Sequence, residues 1–486
     1  AEWSEGSVDL SSYAGKAIRL ELEIQGMGEG AGWGEPEVMI PEGPEAPEIA
    51  DRRAVPKNLV YILIDTVRAD VFEPIGGEGS KVHTPTFDAL TKDSIVFSRA
   101  FAHENWTKPS VATLLSGLYP TTHDTNGEEE TVPEAVEFIS ERMQKAGFAT
   151  GAFIANGYVS RDFGFNQGWD EFVNFIREKK GTTAKYVYRT AMEWLRKNRN
   201  KPFFLYIHTI DPHVPYSVAE EYTSRYYEGD YKGKVGATLG GLEQEELVES
   251  GSLTQEDHEW IKALYYGEVT YHDEYMASVL ERLKEYDLLE DTLVVISHDH
   301  GEELNDHGGL GHRHTLYDEL LRGPLLMRFP KRLPRGHVND ELVEYVDLAP
   351  TLLDIMGLEP SKDQEGLSMI PLIEGREVPR PRYVVSEFLD DRRAVRVGRW
   401  KMIRSDTEVE MLFDIEADPG EQTNLMDKAP VGLRTTQVYL GEALANPNKK
   451  KRLLNTLAGK KFTSDKIVVD GELKKQLEAL GYFGGK

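Results

Sequence analysis

Cysteine is absent from the 486 residues. That excludes disulfides, thiolate metal ligands and a cysteine nucleophile. A chain of this length builds a core without covalent staples, so the absence does not fix the compartment. Long apolar runs are missing too. No stretch approaches the ~18 residues that a membrane-spanning helix needs. The opening AEWSEGSVDL has neither the basic nor the apolar region of a signal peptide. Bases are scarce: 56 Lys and Arg face 83 Asp and Glu, a net charge of −27. Phosphate backbones are neutralised by Lys and Arg, so nucleic acid is excluded as a partner. Apolar residues are not scarce. At 40% they support a large buried core and exclude a disordered chain.

Composition divides the chain into three parts. Residues 1–50 hold eleven acids and two bases. The alternation over Ala17–Ile24 reads as a half-buried strand. This part is either an extension packed on the main domain or the end of an accessory β-domain. Residues 51–375 alternate short apolar runs with helical patterns. The runs are Asn58–Asp65, Ala149–Ile154, Phe203–His208 and Thr292–Ser297. The helical patterns include Val132–Ala146, Thr182–Lys197 and Tyr265–Tyr286. Such alternation predicts an α/β sheet covered by helices on both faces. Val218–His258, acidic and rich in glycine, reads as a flexible rim. In residues 376–486, Tyr383–Glu387, Ala394–Val397, Trp400–Ile403 and Met411–Asp414 predict a smaller antiparallel sheet, followed by a short terminal helix. The basic run Lys449–Arg452 reads as solvated surface.

Ligand sites in open α/β sheets lie beyond the carboxyl ends of the strands. Asp65, Asp211 and Asp299 each follow an apolar run. Five of the thirteen histidines, His298, His300, His307, His312 and His314, fall within seventeen residues. Neighbouring carboxylate and imidazole ligands suit a borderline-soft divalent metal, and the bland alternative is a polar surface loop. In Thr107-Lys108-Pro109-Ser110, Pro109 can begin a helix. Thr107 then stands just before the positive end of the dipole. It is either a simple N-cap or a hydroxyl that a metal activates for attack on phosphorus or sulfur. Lys108 could neutralise the equatorial oxygens. His213, in a proline-bracketed loop, is either structural or a donor to an oxyanion.

Together these segments resemble the sulfatase family of the alkaline phosphatase superfamily over about residues 57–430. Ile64–Asp70 resembles the first metal-binding strand end, and Thr107–Pro120 the nucleophile motif. Asp211-Pro212-His213, Ser297–Glu302, Gly311–Glu319 and Arg322–Leu326 follow in the family's order. The resemblance implies an alkaline phosphatase-like fold: a mixed, mostly parallel sheet between helices, with a small C-terminal antiparallel sheet. It also implies a location in the periplasm or outside the cell.

The departures from the family's pattern suggest a branch within it. Family members begin the nucleophile motif with Cys or Ser, which is oxidised to formylglycine; here Thr107 stands there, with Val111 at the arginine position. The paired aspartates are Asp65-Thr66, and the Asp-Asn metal pair is Asp299-His300. This set resembles the phosphohydrolases and phospho-head-group transferases that use a metal-bound threonine. The resemblance then assigns Asp65, Thr107, Asp299 and His300 to one divalent metal, zinc or manganese before calcium. It gives Asp211, His213, His312 and His314 to the substrate or to a second metal, with His312 fitting better than His314 as the inward residue. Thr107, Lys108, His213 and His312 are the expected catalytic residues. The expected activity is hydrolysis of phosphate or phosphonate esters of small molecules or head groups, with side activity on sulfate esters. The alternatives are a head-group transferase and a binding protein that has lost its chemistry. Oligomeric state is left open by the sequence.

Overall fold

A computed structural model of the chain describes residues 47–76, 80–376, 382–389, 392–405, 409–445 and 463–469, with 471, 474, 475 and 477. The strand expected at Ala17–Ile24 and the basic run Lys449–Arg452 lie outside these residues, as does most of the terminal helix.

Among the described residues, eleven strands precede residue 345. They are β1 Asn58–Ile64, β2 Ile95–Phe101, β3 Ala149–Ile154, β4 Glu171–Asn174, β5 Phe203–Thr209, β6 Thr292–His298, β7 Glu303–Leu304, β8 Leu310–Gly311, β9 Arg322–Arg328, β10 His337–Asn339 and β11 Val343–Glu344. Nine form one sheet in the order β10-β2-β9-β6-β1-β5-β3-β4, with β11 also paired to β2. β6, β1, β5, β3 and β4 run parallel, whereas β9 is antiparallel to both β6 and β2. The sheet is mixed and mostly parallel, with β1 at its centre. The four buried runs read from the sequence are β1, β3, β5 and β6.

Side chains alternate across a strand, and here both faces are covered. Leu59, Tyr61, Leu63, Phe204, Tyr206 and Val295 pack with Trp106, Val111 and Leu115 of the segment around the helix Thr107–Ser116. Val60, Ile62, Ile64, Leu205, Ile207 and Ile296 pack instead with the helices Ala184–Asn198 and Gln255–Glu285, through Tyr188, Leu195, Ile261 and Val279. Burial on both sides is why these strands read as unbroken apolar runs. The 31-residue helix Gln255–Glu285 starts ten residues earlier than the pattern from Tyr265 suggests. Thr254 and Asp257 form a capping box there.

Other expectations fail for local reasons. The helix read over Val132–Ala146 spans only Ile139–Lys145. Pro133 heads a turn closed by Val136, and Val132 donates instead to the Phe163 carbonyl at 2.9 Å. The Val218–His258 segment contains the helices Glu220–Thr223 and Gly241–Ser250 and the first turn of the helix Gln255–Glu285.

Four antiparallel strands, β12 Tyr383–Phe388, β13 Arg392–Val397, β14 Trp400–Ser405 and β15 Val409–Asp414, make the smaller sheet in sequential order. The helix Pro430–Leu444 packs on it, with Leu440 against Val385, Val395 and Met402. This sheet is anchored to the larger unit by buried charge. Lys401 Nζ reaches Asp318 Oδ1 at 2.7 Å and Glu421 Oε1 at 2.8 Å, and Arg396 also pairs with Asp318.

Candidate active site

The strand ends bring four segments to one place. In β1, Tyr61 and Leu63 face the side occupied by the Thr107–Ser116 helix, and period two continues that face to Asp65. The same alternation carries it from Tyr206 to His208 in β5, from Ile154 to Asn156 after β3, and from Val295 and Ser297 to Asp299 after β6. Register holds them level, since Leu63 pairs with both His208 and Ser297. Asp65, Asn156, Thr107, His208, Asp299 and His300 are all completely buried.

Their distances define a small polar chamber. Thr107 Oγ1 lies 3.2 Å from His300 Nε2 and accepts from Asn156 Nδ2 at 3.3 Å. His300 Nε2 is 3.8 Å from Asp65 Oδ1 and 3.5 Å from Asp299 Oδ2. His300 Nδ1 donates to the Gly301 carbonyl at 2.9 Å, which leaves the lone pair on Nε2, facing the two acids. Gly301 permits this turn: a Cβ there would lie 1.9 Å from the Glu319 carbonyl oxygen.

Charge balance points to a cation. Burial pushes the Asp65 carboxyl up to about 7, against the pull of His213 and the Asn156 hydrogen bond. Burial, and then Asp65 itself, raises Asp299 well above the usual carboxylate range. Burial also drives His300 well below the ordinary imidazole value. Among the described residues, two crowded carboxylates beside a neutral imidazole have no Lys or Arg ion pair to balance them. Asp65 Oδ1 and Asp299 Oδ2 are buried and take no hydrogen bond, an expensive state without a ligand. Oxygen and nitrogen ligands of a tetrahedral ion, at about 2.0–2.1 Å each, stand roughly 3.3 Å apart. The separations found here are close to that. Asp65, Asp299 and His300 therefore fit one divalent cation, with Thr107 Oγ1 beside them.

Thr107 is not the N-cap. The helix begins at Thr107 itself, after Trp106, so Pro109 is its third residue. The hydroxyl is turned to His300 and Asn156, at the helix end where backbone dipoles favour an anion.

His213 and His312 join the chamber. Their ring centroids are 5.0 Å apart, and His312 lies 4.5 Å from His300. His213 Nδ1 donates to the Val214 carbonyl at 2.6 Å, and His312 Nδ1 to Glu302 Oε1 at 3.2 Å. Burial lowers both pKa values, His312 the more strongly. Both rings are neutral, with Nε2 as the proton-accepting atom.

Three expected residues are not brought there. Lys108 points away: Nζ donates to the carbonyls of Gly127, Glu128 and Glu130 at 2.5, 2.9 and 2.7 Å. All three ammonium protons are committed, so none is left for equatorial oxygens. Asp211 accepts from the Ala184 backbone at the start of the Ala184–Asn198 helix, at 2.5 Å. His314 pairs with Glu303 at 2.7 Å. The sequence reading also missed two contributors, His208 and Asn156, both of which donate to Asp65 Oδ2, at 3.1 and 2.7 Å.

A second group, Glu303, His307 and Glu319, is a hydrogen-bonded clamp instead. His307 donates through Nδ1 to Glu319 at 2.6 Å and through Nε2 to the Gly420 carbonyl at 3.1 Å. Glu303 accepts from the backbone of His307 and Gly309 and from His314. Their ligand atoms are already engaged.

Comparison with known proteins places this arrangement. Residues 57–358 match the family described as Sulfatase, and residues 306–446 match the one described as N-sulphoglucosamine sulphohydrolase, C-terminal. The chain belongs to the sulfatase family. It is a sulfatase-like ester hydrolase. Among curated sulfatase relatives, an arylsulfatase of Clostridium perfringens is 26% identical over 441 residues, covering 76% of this chain and 90% of that protein. An ulvan-active sulfatase of Formosa agariphila is 24% identical over 408 residues, covering 76% of this chain and 75% of that protein. In fold, the chain is similar to the phosphonate monoester hydrolase of Silicibacter pomeroyi, with a TM-score of 0.67 at 21% identity, covering 81% of this chain and 95% of that one. The corresponding enzyme of Agrobacterium radiobacter also gives 0.67, at 20% identity, covering 82% and 96%. No described helix is long and apolar enough to cross a membrane.

Proposed function

We propose that this sulfatase-family chain hydrolyses phosphate or phosphonate esters, with Thr107 as a covalent nucleophile and sulfate esters as a side activity. The observation that carries the reading is the Thr107 hydroxyl, buried at a helix start 3.2 Å from His300 Nε2 and beside two carboxylates. A threonine side chain cannot become an aldehyde, because its β-carbon carries a methyl group. Its oxygen must attack directly.

Asp65, Asp299 and His300 would hold a divalent cation, zinc or manganese before calcium, which would supply charge to lower the hydroxyl pKa and offset the anionic ester. Asn156 Nδ2 orients Thr107 Oγ1. The Oγ1–phosphorus bond forms as the bond to the leaving oxygen breaks, giving a phospho- or phosphono-threonine. The proton leaving Thr107 passes to Nε2 of His213 or His312 and returns to the leaving alkoxide. In the second half, the same imidazoles take a proton from water as its oxygen bonds to phosphorus, and return it to Thr107 Oγ1 as the Oγ1–phosphorus bond breaks. The helix dipole and Asn156 favour the charge that develops. The phosphonate hydrolases of similar fold support this substrate class, and the relatives named arylsulfatase support the sulfate side activity.

The test is a panel of aryl phosphate, phosphate diester, phosphonate monoester and sulfate ester, each with and without chelator. Acid-quenched turnover is then mapped by peptide mass spectrometry. Chelator-sensitive hydrolysis of the phosphorus esters, with the adduct on Thr107, is the expected result. Preferential turnover of the sulfate ester, or an adduct elsewhere, refutes the proposal.

A further inference from the structure

We infer that His208 is a positioning residue for the metal site: from behind the sheet end it holds Asp65 by Oδ2, so that Oδ1 alone is aimed at the cation. The inference rests on the metal-assisted reading above. His208 heads the segment that carries Asp211-Pro212-His213, but the sequence alone gives it no role. It lies inside β5, completely buried.

The ring is held at both nitrogens. Nε2 meets Asp65 Oδ2 at 3.1 Å, and Nδ1 lies 3.4 Å from the Tyr206 hydroxyl, two residues back on the same face. The ring and the Tyr206 phenol are both completely buried. One arrangement satisfies both contacts: Tyr206 donates to Nδ1, and Nε2–H donates to Asp65. The tautomer is fixed by the phenol.

The consequence falls on Asp65. A free carboxylate can rotate or bind an ion through both oxygens. Here Oδ2 accepts from His208 and from Asn156 Nδ2 at 2.7 Å, whereas Oδ1 takes no hydrogen bond and stands 3.8 Å from His300 Nε2. Two donors on one oxygen leave the other as a single, directed ligand. Residues that orient a ligating group in this way typically contribute about 10–100-fold in metal affinity.

The experiment measures zinc and manganese affinity on the full chain, by competition with a chromophoric chelator. Thermal unfolding is followed with EDTA and with each ion. His208→Phe keeps the ring volume and removes the donor; His208→Gln keeps an N–H. The expected result is binding about 10–100-fold weaker in H208F, substantial recovery in H208Q, and a smaller metal-induced rise in Tm for H208F. Tyr206→Phe, which removes only the hydroxyl, should weaken binding less and covers the case in which H208F does not fold. Equal affinity in wild type and H208F, or in wild type and Y206F should H208F not fold, overturns the inference. A wild-type chain that binds neither ion overturns the metal-assisted reading as well.

Discussion

Thr107 Oγ1 and His300 Nε2 lie 3.2 Å apart, one on the first residue of a helix and the other in the turn that leaves β6. The contact joins two elements 193 residues apart in sequence. Because His300 has given its Nδ1 proton to Gly301, the hydroxyl faces a lone pair, not a donor. A proton can leave Thr107 there only if positive charge replaces it. The nucleophile reading follows, and removing Oγ1 should abolish turnover without unfolding the protein. Thr107→Ala should lower kcat by at least about 10³-fold, while circular dichroism and Tm stay near wild type. Thr107→Ser, which keeps the oxygen, should retain measurable rate. Near-normal turnover by the alanine variant would remove Thr107 from the mechanism.

Asn156 donates to both the nucleophile and a carboxylate that fits the cation. Asn156→Ala should lower kcat more than it changes KM, by about 10–100-fold, because the hydroxyl loses its orientation. Asn156→Asp should do worse, since it places a third carboxylate against Asp65. Steady-state kinetics with added metal check both. A variant in which only KM rises would make Asn156 a substrate contact, not an orienting group.

Much of this chamber could be read from the sequence, and what could not has a physical reason. Asp65, Asp299 and His300 follow buried strands, where position alone suggests a site. Thr107 stood out through the proline and hydroxyl-rich start of its helix. His208 did not, because one polar residue within an apolar run reads as part of the strand. Only the register of β5 against β1 shows that it shares a face with Asp65. Asn156, beside Gly157, reads as turn chemistry. Lys108 misled for the opposite reason. Neighbours in sequence diverge by about 100° around a helix, so the lysine beside the nucleophile faces the 127–130 segment. β2 and β9 also escaped, since their antiparallel pairing does not fit a simple strand–helix alternation.

Lys108 should accordingly be a stability residue. Its ammonium satisfies three carbonyls and lies 4.5 Å from the Phe163 ring centroid. Lys108→Met keeps the stem but leaves the carbonyls without donors, which should cost on the order of 3–5 kcal/mol. Denaturant unfolding measures this loss. Folded K108M should bind substrate with KM close to wild type, and a large rise in KM would return the lysine to the substrate.

Metal removal should reveal the strain between the two acids. Asp65 has a folded pKa raised to about 7, against about 3.9 for an unfolded aspartate. Without a cation, the folded state holds the proton more tightly than the unfolded state. The charged form is penalised, so stability falls as pH rises from about 4 through 7. A divalent cation offsets that charge. Tm of chelator-treated protein should therefore drop between pH 5 and 8 relative to the zinc-loaded protein. A gap between the two that stays constant across this range would contradict the charge balance of the site.

His307 should act in the same direction through a different charge. Burial lowers its pKa, but the bond to Glu319 and the charges of Glu319 and Glu421 outweigh this and raise it to about 9. As imidazolium it donates at both nitrogens, to Glu319 and to the Gly420 carbonyl, with its ring stacked 3.5 Å from Tyr317. These contacts tie the loop that carries His312 to the turn after β15. Because the folded pKa lies above the ordinary value of about 6.5, the stabilisation is fully present below that value and is lost as pH rises through about 9. His307→Gln should flatten the decline in Tm between pH 6.5 and 9.5 that wild type shows, both measured with saturating zinc so that Asp65 does not contribute. At pH 6.5 the variant should be less stable than wild type; near pH 9.5 the two should converge. Parallel curves for the two proteins would show that His307 carries no extra proton in the folded state.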